Sequence, residues 1–306
     1  MKPVRFVDEV KVCLEAGRGG EGSSARRKFK SYFVNIGGDG GDGGSIYIEN
    51  DSNVFDLSKF LNKRKFQAQN GGFGLSYNKK GKNGQDLVLK VPQGTLIRDV
   101  QGGILSDLAC SKEKILVVKG GRGGKGNIKR KNTLPPGPGQ KKEIILDFRI
   151  PADVVLLGVT NTGKSTLISK ITHLSPKISE FPFVTEKPVW GVVAKNYKMF
   201  TILELPAIIG KKNQQAPGEK FLKHLERARV LVLLIDAGHD VNEQVASLKE
   251  VLGQSNPDLR HKNTLIVLNK IDTIDGKNPD GYLGMSAKEG TGLDQFIDKV
   301  FKLLEK

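Results

Sequence analysis

Alternating apolar and polar positions mark residues 4–16 (VRFVDEVKVCLEA) and 86–98 (DLVLKVPQGTLIR) as half-buried strands. From residue 152 the pattern changes to buried strands alternating with helices. ADVVLL (152–157) is a continuous apolar strand, followed by a helix from about 164. TLIVLNKID (264–272) and YLGMSAKEG (282–290) read as further strands that end in polar loops, and an amphipathic helix starts at about 292. Between the strands of the first half lie glycine blocks that fit neither period. In GGDGGDGG (37–44) glycine falls on two of every three positions, leaving Asp39, Asp42 and Ser45 on the third phase. KGGRGGKG (119–126) leaves Lys119, Arg122 and Lys125, and GRGGEG (17–22) leaves Arg18 and Glu21.

A period of three matches polyproline II, whose turns hold three residues and no internal hydrogen bonds. Glycine on two phases would let neighbouring backbones approach closely enough to bond to one another. The blocks are too short and too poor in proline for collagen. A disordered linker is the competing reading. Three blocks that keep one phase favour packed structure, with both glycine phases buried and Asp39 and Asp42 on one edge.

Composition adds a boundary and a sign. The 306 residues carry a formal charge of +16 and allow about two domains. Residues 1–150 hold 28 Lys+Arg against 15 Asp+Glu, and 25 of the 37 glycines, whereas 151–306 is nearly balanced. A break near 150 follows, with a polyanion as partner of the first domain, most simply RNA. A well-solvated surface is the alternative reading of that charge. The basic residues cluster: Arg26, Arg27 and Lys28 in ARRKFK (25–30); Lys63 and Arg64 in KRKF (63–66); and Lys79, Lys80 and Lys82 in NKKGKNG (78–84). Arg122 lies in the glycine block, and Lys125, Lys129, Arg130 and Lys131 lie in KGNIKRKNTLPPGPGQKK (125–142). Phe29, Tyr32, Phe66 and Tyr77 interleave with them, a pairing of phosphate-binding cations and base-stacking rings that suits folded RNA better than duplex DNA.

Two cysteines, Cys13 and Cys110, make neither a disulfide framework nor a zinc site, which fits a reducing compartment. The longest apolar runs, such as VLVLLI (230–235), are too short to span a bilayer. The first ten residues meet Asp8 and Glu9 before an apolar core develops, so no signal peptide is expected.

The chemistry lies in the second half. GVTNTGKST (158–166) completes the phosphate loop G-x-x-x-x-G-K-S/T between a strand and a helix. Gly158 and Gly163 let the loop curl, so that the N–H groups of Val159, Thr160, Asn161 and Thr162 face phosphate and Thr166 opens the helix. Lys164 can reach the β- and γ-phosphates, and the Ser165 hydroxyl can bind Mg²⁺. Asn269, Lys270 and Asp272 form an Asn-Lys-x-Asp motif, and Ser286, Ala287 and Lys288 end the next strand; all six are candidate GTP-binding residues. Asp272 could accept both guanine N–H donors and the Ala287 N–H could meet guanine O6, so GTP is expected over ATP.

The whole chain resembles the Obg family of GTPases, through FVDEV (6–10), ARRK (25–28), GGDGGDGG and GGRGGKGN (120–127), then FPFVT (181–185) and FLKHLERAR (221–229). The resemblance implies a multidomain fold: packed polyproline II helices with a small β-barrel-like part over 1–150, then a Ras-like α/β P-loop domain with a parallel sheet over 151–306. It implies GTP and GDP as ligands with Mg²⁺, slow GTP hydrolysis, and a monomer that binds rRNA and proteins of the large ribosomal subunit during late assembly. The N-terminal loops would reach toward the peptidyl-transferase region. The setting would be a bacterial cytoplasm, or alternatively a mitochondrial matrix or plastid.

Carried over by residue, Phe183, Val184 and Thr185 become switch I, with the Thr185 hydroxyl on Mg²⁺. Asn161 becomes a K⁺ ligand or, equally, an ordinary turn residue. The catalytic set is Lys164, Thr185, Glu204 and Ala207. Here the chain departs from the family: Asp-x-Pro-Gly of switch II reads ELPA (204–207), followed by Ile208. In the family the Asp holds a Mg²⁺-bound water and the Gly gives its N–H to the γ-phosphate; glutamate is one methylene longer, and alanine keeps the N–H but loses conformational freedom. Nucleotide binding should therefore survive better than switching or hydrolysis. An rRNA-binding scaffold that has lost turnover is the rival function. A GTP-using metabolic enzyme lacks a nucleophile or acid–base cluster for a second substrate. The segment TIDGKNPDGYLGM (273–285) is expected to be a loop in place of the usual helix, and the C-terminal domain of some family members is expected to be missing.

Overall fold

The computed structural model describes residues 6–109, 114–128, 130–172, 188–209, 218–274 and 281–305. Two units emerge, Phe6–Arg149 and a second built from Ile150–Lys306.

The first unit contains β1 (Glu9–Glu15), β2 (Arg26–Phe29), β3 (Tyr32–Asn35), β4 (Ile46–Asn50) and β5 (Lys65–Gln67), then β6 (Leu87–Val91), β7 (Thr95–Asp99), β8 (Ile104–Asp107), β9 (Ile115–Val118) and β10 (Lys141–Phe148). They form a five-stranded sheet, β5-β1-β10-β7-β8, a three-stranded sheet, β6-β4-β9, and the hairpin β2-β3. The inward faces supply Val12, Leu14, Ile46, Ile48, Ile144 and Leu146 to the core. The alternation over 86–98 is not one strand. Pro92 can give no ladder N–H and Gly94 takes a φ of +91°, so the chain turns there and β6 and β7 join different sheets.

The glycine blocks are structure, and the linker reading falls. Segments 17–22, 37–44 and 119–126 bond to one another through backbone groups: Gly20 N–H donates to Gly41 O (2.8 Å), Gly40 N–H to Gly124 O (2.8 Å) and Gly124 N–H to Gly20 O (2.8 Å). Segments around 69–74, 81–84 and 137–140 extend the array, as where Gly41 N–H meets Gly72 O at 2.9 Å. An alanine Cβ at Gly41 would lie 2.0 Å from Lys82 O, inside any real contact. The third phase does more than form an edge. Asp39 accepts from Gly126 N–H (2.9 Å), Asp42 from Gly123 N–H (2.8 Å) and the Ser45 hydroxyl from Gly120 N–H (3.1 Å). Side-chain oxygens thus satisfy donors of the neighbouring segment at every third residue.

This arrangement carries a pH prediction. The Lys125 ammonium and the Gly126 N–H hold Asp39 below the ordinary value of 3.8; the Gly123 N–H and Lys80 do the same for Asp42. A carboxylate with a depressed folded pKa contributes stability above its unfolded pKa and loses it as pH falls through the folded one. The melting-temperature gap between wild type and an Asp39→Asn/Asp42→Asn variant should therefore be full at pH 5–7 and close below about pH 3.8. A gap independent of pH would show that these carboxylates act only through shape.

The second unit runs β11 (Val154–Leu157), α1 (Lys164–Ile171), β12 (Val189–Lys195), β13 (Lys198–Glu204), β14 (Val230–Asp236), α2 (Val241–Ser255), β15 (Asn263–Asn269), β16 (Leu283–Gly284) and α3 (Leu293–Leu304). Sheet order is β12-β13-β11-β14-β15-β16. The sheet is parallel except for β12, which runs antiparallel to β13 at one edge. Every residue of β14 is buried, as helices on both faces of a parallel sheet require. The strand expected over 282–290 shrinks to the two residues of β16, and of the segment 273–285 the described part holds no α-helix. Among the described residues no helix is long and apolar enough to cross a membrane.

Candidate nucleotide site and basic surface

The loop after β11 has the curl that phosphate binding needs. Asn161 (φ +63°) and Gly163 (φ +90°) both sit in the left-handed region, where glycine is at ease and asparagine is tolerated. Lys164, only 7% exposed, donates from Nζ to the carbonyls of Gly158 (3.1 Å) and Val159 (2.9 Å). Burial pushes its pKa down, and nearby Glu204 partly offsets that. The ammonium is thus held across the loop by two carbonyl oxygens. Ser165 and Thr166 are exposed at the start of α1.

Glu204 ends β13 beside this loop. Its Oε1 accepts from the Ser165 hydroxyl at 2.7 Å, while Oε2 is buried with no partner among the described residues. Burial raises its pKa against the lowering pull of Ser165 and Lys164. An unpartnered carboxylate oxygen beside a hydroxyl is an all-oxygen donor set, which fits a hard divalent cation. Ala207 is buried and its carbonyl accepts from Gly218 N–H at 3.0 Å. Ile208 is buried too, so the position after the switch II motif offers no polar group to water. Phe183, Val184 and Thr185 lie outside the described residues, as do Lys129 and Cys110.

The Asn-Lys-x-Asp and Ser-Ala loops are tied to the loop after β11 through one side chain. Asn269, 2% exposed, donates from Nδ2 to Thr162 O (2.7 Å) and accepts at Oδ1 from Ala287 N–H (2.9 Å). The Ala287 N–H expected to await guanine O6 is therefore already engaged within the protein. Lys270 takes a φ of +65° and its Nζ meets Asp236 Oδ2 at 2.6 Å. Burial works to raise Asp236, but Lys270 and the Gly238 N–H outweigh it and its pKa falls. Gln244 clasps the Asp236 backbone from α2, accepting its N–H (3.1 Å) and donating to its carbonyl (2.9 Å). Sequence reading missed Asp236 and Gln244; an acid closing a buried apolar strand was their one signal. Asp272 and Lys288 are exposed, whereas Ser286 is buried and its Oγ accepts from Glu289 N–H (3.1 Å).

In the first unit, Arg26, Arg27, Lys28, Lys63, Arg64, Lys79, Lys80, Lys82, Arg122, Lys125, Arg130 and Lys131 are all exposed. Not all are free: Lys80 pairs with Asp42 and Lys125 with Asp39, so those two brace the glycine array. One end of the array gathers rings and cations. The β2-β3 hairpin presents Phe29, Tyr32 and Phe33, Arg27 lies over Tyr77 (5.9 Å), and Asn35 bonds to Arg130 O (2.7 Å). Phe73, 71% exposed, adds a ring from the neighbouring loop, which Gly38 N–H ties down at Leu75 O (2.8 Å). The structure thus brings 25–35, 73–79 and residues 127, 128 and 130 together, while Lys63 and Arg64 precede β5.

Comparison with known proteins assigns both units. Residues 7–144 match the family model GTP1/OBG, and residues 153–270 match the model described as 50S ribosome-binding GTPase. The GTPase Obg of Protochlamydia amoebophila is 38% identical, over 98% of this chain and 98% of its own. That of Endomicrobium trichonymphae is 40% identical, over 98% of this chain and 78% of its own. Among solved structures, the G domain of the T. maritima FeoB iron transporter aligns with 50% of this chain and 99% of its own at 19% identity and a TM-score of 0.40.

Proposed function

The chain belongs to the GTP1/OBG family of GTPases, and on that footing we propose that it binds GTP and GDP with Mg²⁺ and acts in assembly of the large ribosomal subunit. The observation that carries this is the joining of a phosphate loop, an Asn-Lys-x-Asp loop and a Ser-Ala loop through Asn269, beside the Ser165–Glu204 oxygen pair. Lys164 would orient the terminal phosphates, and the loop N–H groups of 159–164 would receive their charge. Asp272 would select guanine. Ser165 and Thr185 would hold Mg²⁺, which when bound neutralises phosphate charge and polarises the γ-phosphoryl group. K⁺ at Asn161 is part of the proposal, because the left-handed turn there leaves the amide exposed.

The basic domain would supply the rRNA contact. Arg26, Arg27, Lys28, Lys79 and Arg130 would meet phosphates while Phe29, Tyr32, Phe33, Phe73 and Tyr77 stack on unpaired bases. The site is cytoplasmic in this reading, with the protein a monomer between cycles. GTP orders the switches, the ordered state favours the ribosomal particle, and slow hydrolysis permits release. Purified protein should co-sediment with large subunits more tightly in GTP than in GDP, and subunits should change its rate of GTP hydrolysis. Equal association in both nucleotides sinks the switch.

A second reading rests on Glu204 and the buried Ala207: GTP as a structural ligand of an rRNA scaffold. A Glu204→Asp/Ala207→Gly variant separates the two. A rise in turnover of about tenfold or more, some 1.4 kcal/mol of transition-state stabilisation, would show that the native switch II is impaired and would favour the scaffold. An unchanged rate would count against the scaffold.

A further inference from the structure

Glu204 stands where the family carries aspartate, and its geometry suggests a different task from holding a metal-bound water. Its carboxylate comes within hydrogen-bond distance of the very hydroxyl that would ligate the cation, Ser165 Oγ at 2.7 Å. The second oxygen is buried beside it with no donor among the described residues. The backbone leaves little freedom to withdraw. Residue 204 is the last of β13, held in register with Leu156 on one side and Val189 on the other, and the Leu205 N–H is bonded to Leu156 O at 3.3 Å. With the main chain fixed, the extra methylene carries the carboxylate about 1.5 Å further into the site than an aspartate would reach. Leaving a buried carboxylate oxygen without a partner costs on the scale of a lost charged hydrogen bond, a need that a hard divalent cation meets with its charge and its preference for oxygen.

We propose that Glu204 is a direct, inner-sphere ligand of the divalent cation, taking a position that water fills in relatives with aspartate. This rests on the nucleotide-and-Mg²⁺ reading above and concerns only how the ion is held. The consequence is a tether: switch II is attached to the ion by a side-chain bond in the GDP state as well as the GTP state.

The test uses the full chain with GDP and Mn²⁺ as a paramagnetic substitute for Mg²⁺, with bound waters counted from the line broadening produced by ¹⁷O-water in electron paramagnetic resonance. With six positions shared among Ser165, one β-phosphate oxygen, Glu204 and water, about three waters are expected, and about four in a Glu204→Asp variant. About four in the wild-type protein overturns the assignment without reference to any variant. About three in both proteins overturns it as well, because another ligand then accounts for the missing water. Failure to form a protein-bound Mn²⁺·GDP signal at all would overturn the nucleotide–metal reading together with this inference, whereas the water count bears on Glu204 alone.

Discussion

Replacing Gly41 by alanine is expected to lower the melting temperature of the Phe6–Arg149 unit by about 10 °C or more, a cost of some 4 kcal/mol or above. The added Cβ would fall 2.0 Å from Lys82 O, 2.5 Å from Lys82 C and 2.8 Å from Gly81 O, all main-chain atoms without a flexible end to move aside. Restoring an ordinary contact of 3.4 Å requires a shift of about 1.4 Å between two segments whose bonds tolerate far less. Gly41 N–H donates to Gly72 O at 2.9 Å, and Gly41 O accepts from Gly20 N–H at 2.8 Å, so the shift breaks bonds on both sides. Buried backbone groups left unpaired cost about 1–3 kcal/mol each. Against a total stability of about 5–15 kcal/mol, that is a large fraction. Gly38→Ala should behave alike, since its Cβ would meet Lys79 O at 2.3 Å. Glu21→Ala is the control: its side chain is exposed on the third phase and should change stability by less than about 0.5 kcal/mol. Calorimetry of the three variants decides the matter. Equal melting of Gly41→Ala and Glu21→Ala would mean the array yields where its geometry says it cannot.

Much of this was legible from spacing alone, for a physical reason. Where two of every three residues must be small, or a loop must curl around phosphate, sterics restrict the residue type directly, and the restriction survives as a pattern. The two glycine phases and the strand–loop–helix setting of Lys164 are of this kind. What spacing does not carry is partnership at long range. Asp39 and Asp42 read as a polar edge, but their role as acceptors depends on the N–H groups of Gly126 and Gly123, more than 80 residues away. Asp236 shows no motif, and its pairing with Lys270 exists only because β14 and β15 lie side by side in register, Asp236 opposite Asn269. The break in 86–98 was visible in Pro92 and Gly94 and was hidden by the apolar alternation that runs across both. The parallel sheet of the resemblance likewise omitted β12, whose antiparallel pairing with β13 is that of a hairpin, turned by Asn196 and Tyr197 at positive φ.

Asn269 shows how such a partnership governs a binding site, and Asn269→Ala is expected to weaken GDP about 100-fold while leaving the protein folded. Sequence pattern places this residue against the nucleotide, yet its side chain spends both polar atoms on the protein itself. Nδ2 holds Thr162 O at 2.7 Å and Oδ1 holds Ala287 N–H at 2.9 Å, so one amide fixes the phosphate loop and the Ser-Ala loop in a single geometry. Gly163 makes room for it: at φ +90° it has no Cβ, and one built there would lie 2.4 Å from Asn269 Nδ2. Alanine at 269 leaves a buried carbonyl and a buried N–H without partners, each about 1–3 kcal/mol, and frees the two loops to move independently. A loss of about 2.8 kcal/mol in binding is a factor of 100. Because the freed loops can turn the Thr162 carbonyl and the Ala287 N–H to water while β15 and its neighbours keep their ladder, the unit's melting temperature should fall by only a few degrees, so the loss of affinity will exceed what global destabilisation explains. Titration with a fluorescent GDP analogue measures it, with Glu289→Ala, an exposed position on the same loop, expected to stay within about threefold of wild type. Unchanged affinity in Asn269→Ala would mean that the two loops find their binding geometry without the amide, and that the nucleotide rather than the protein sets it.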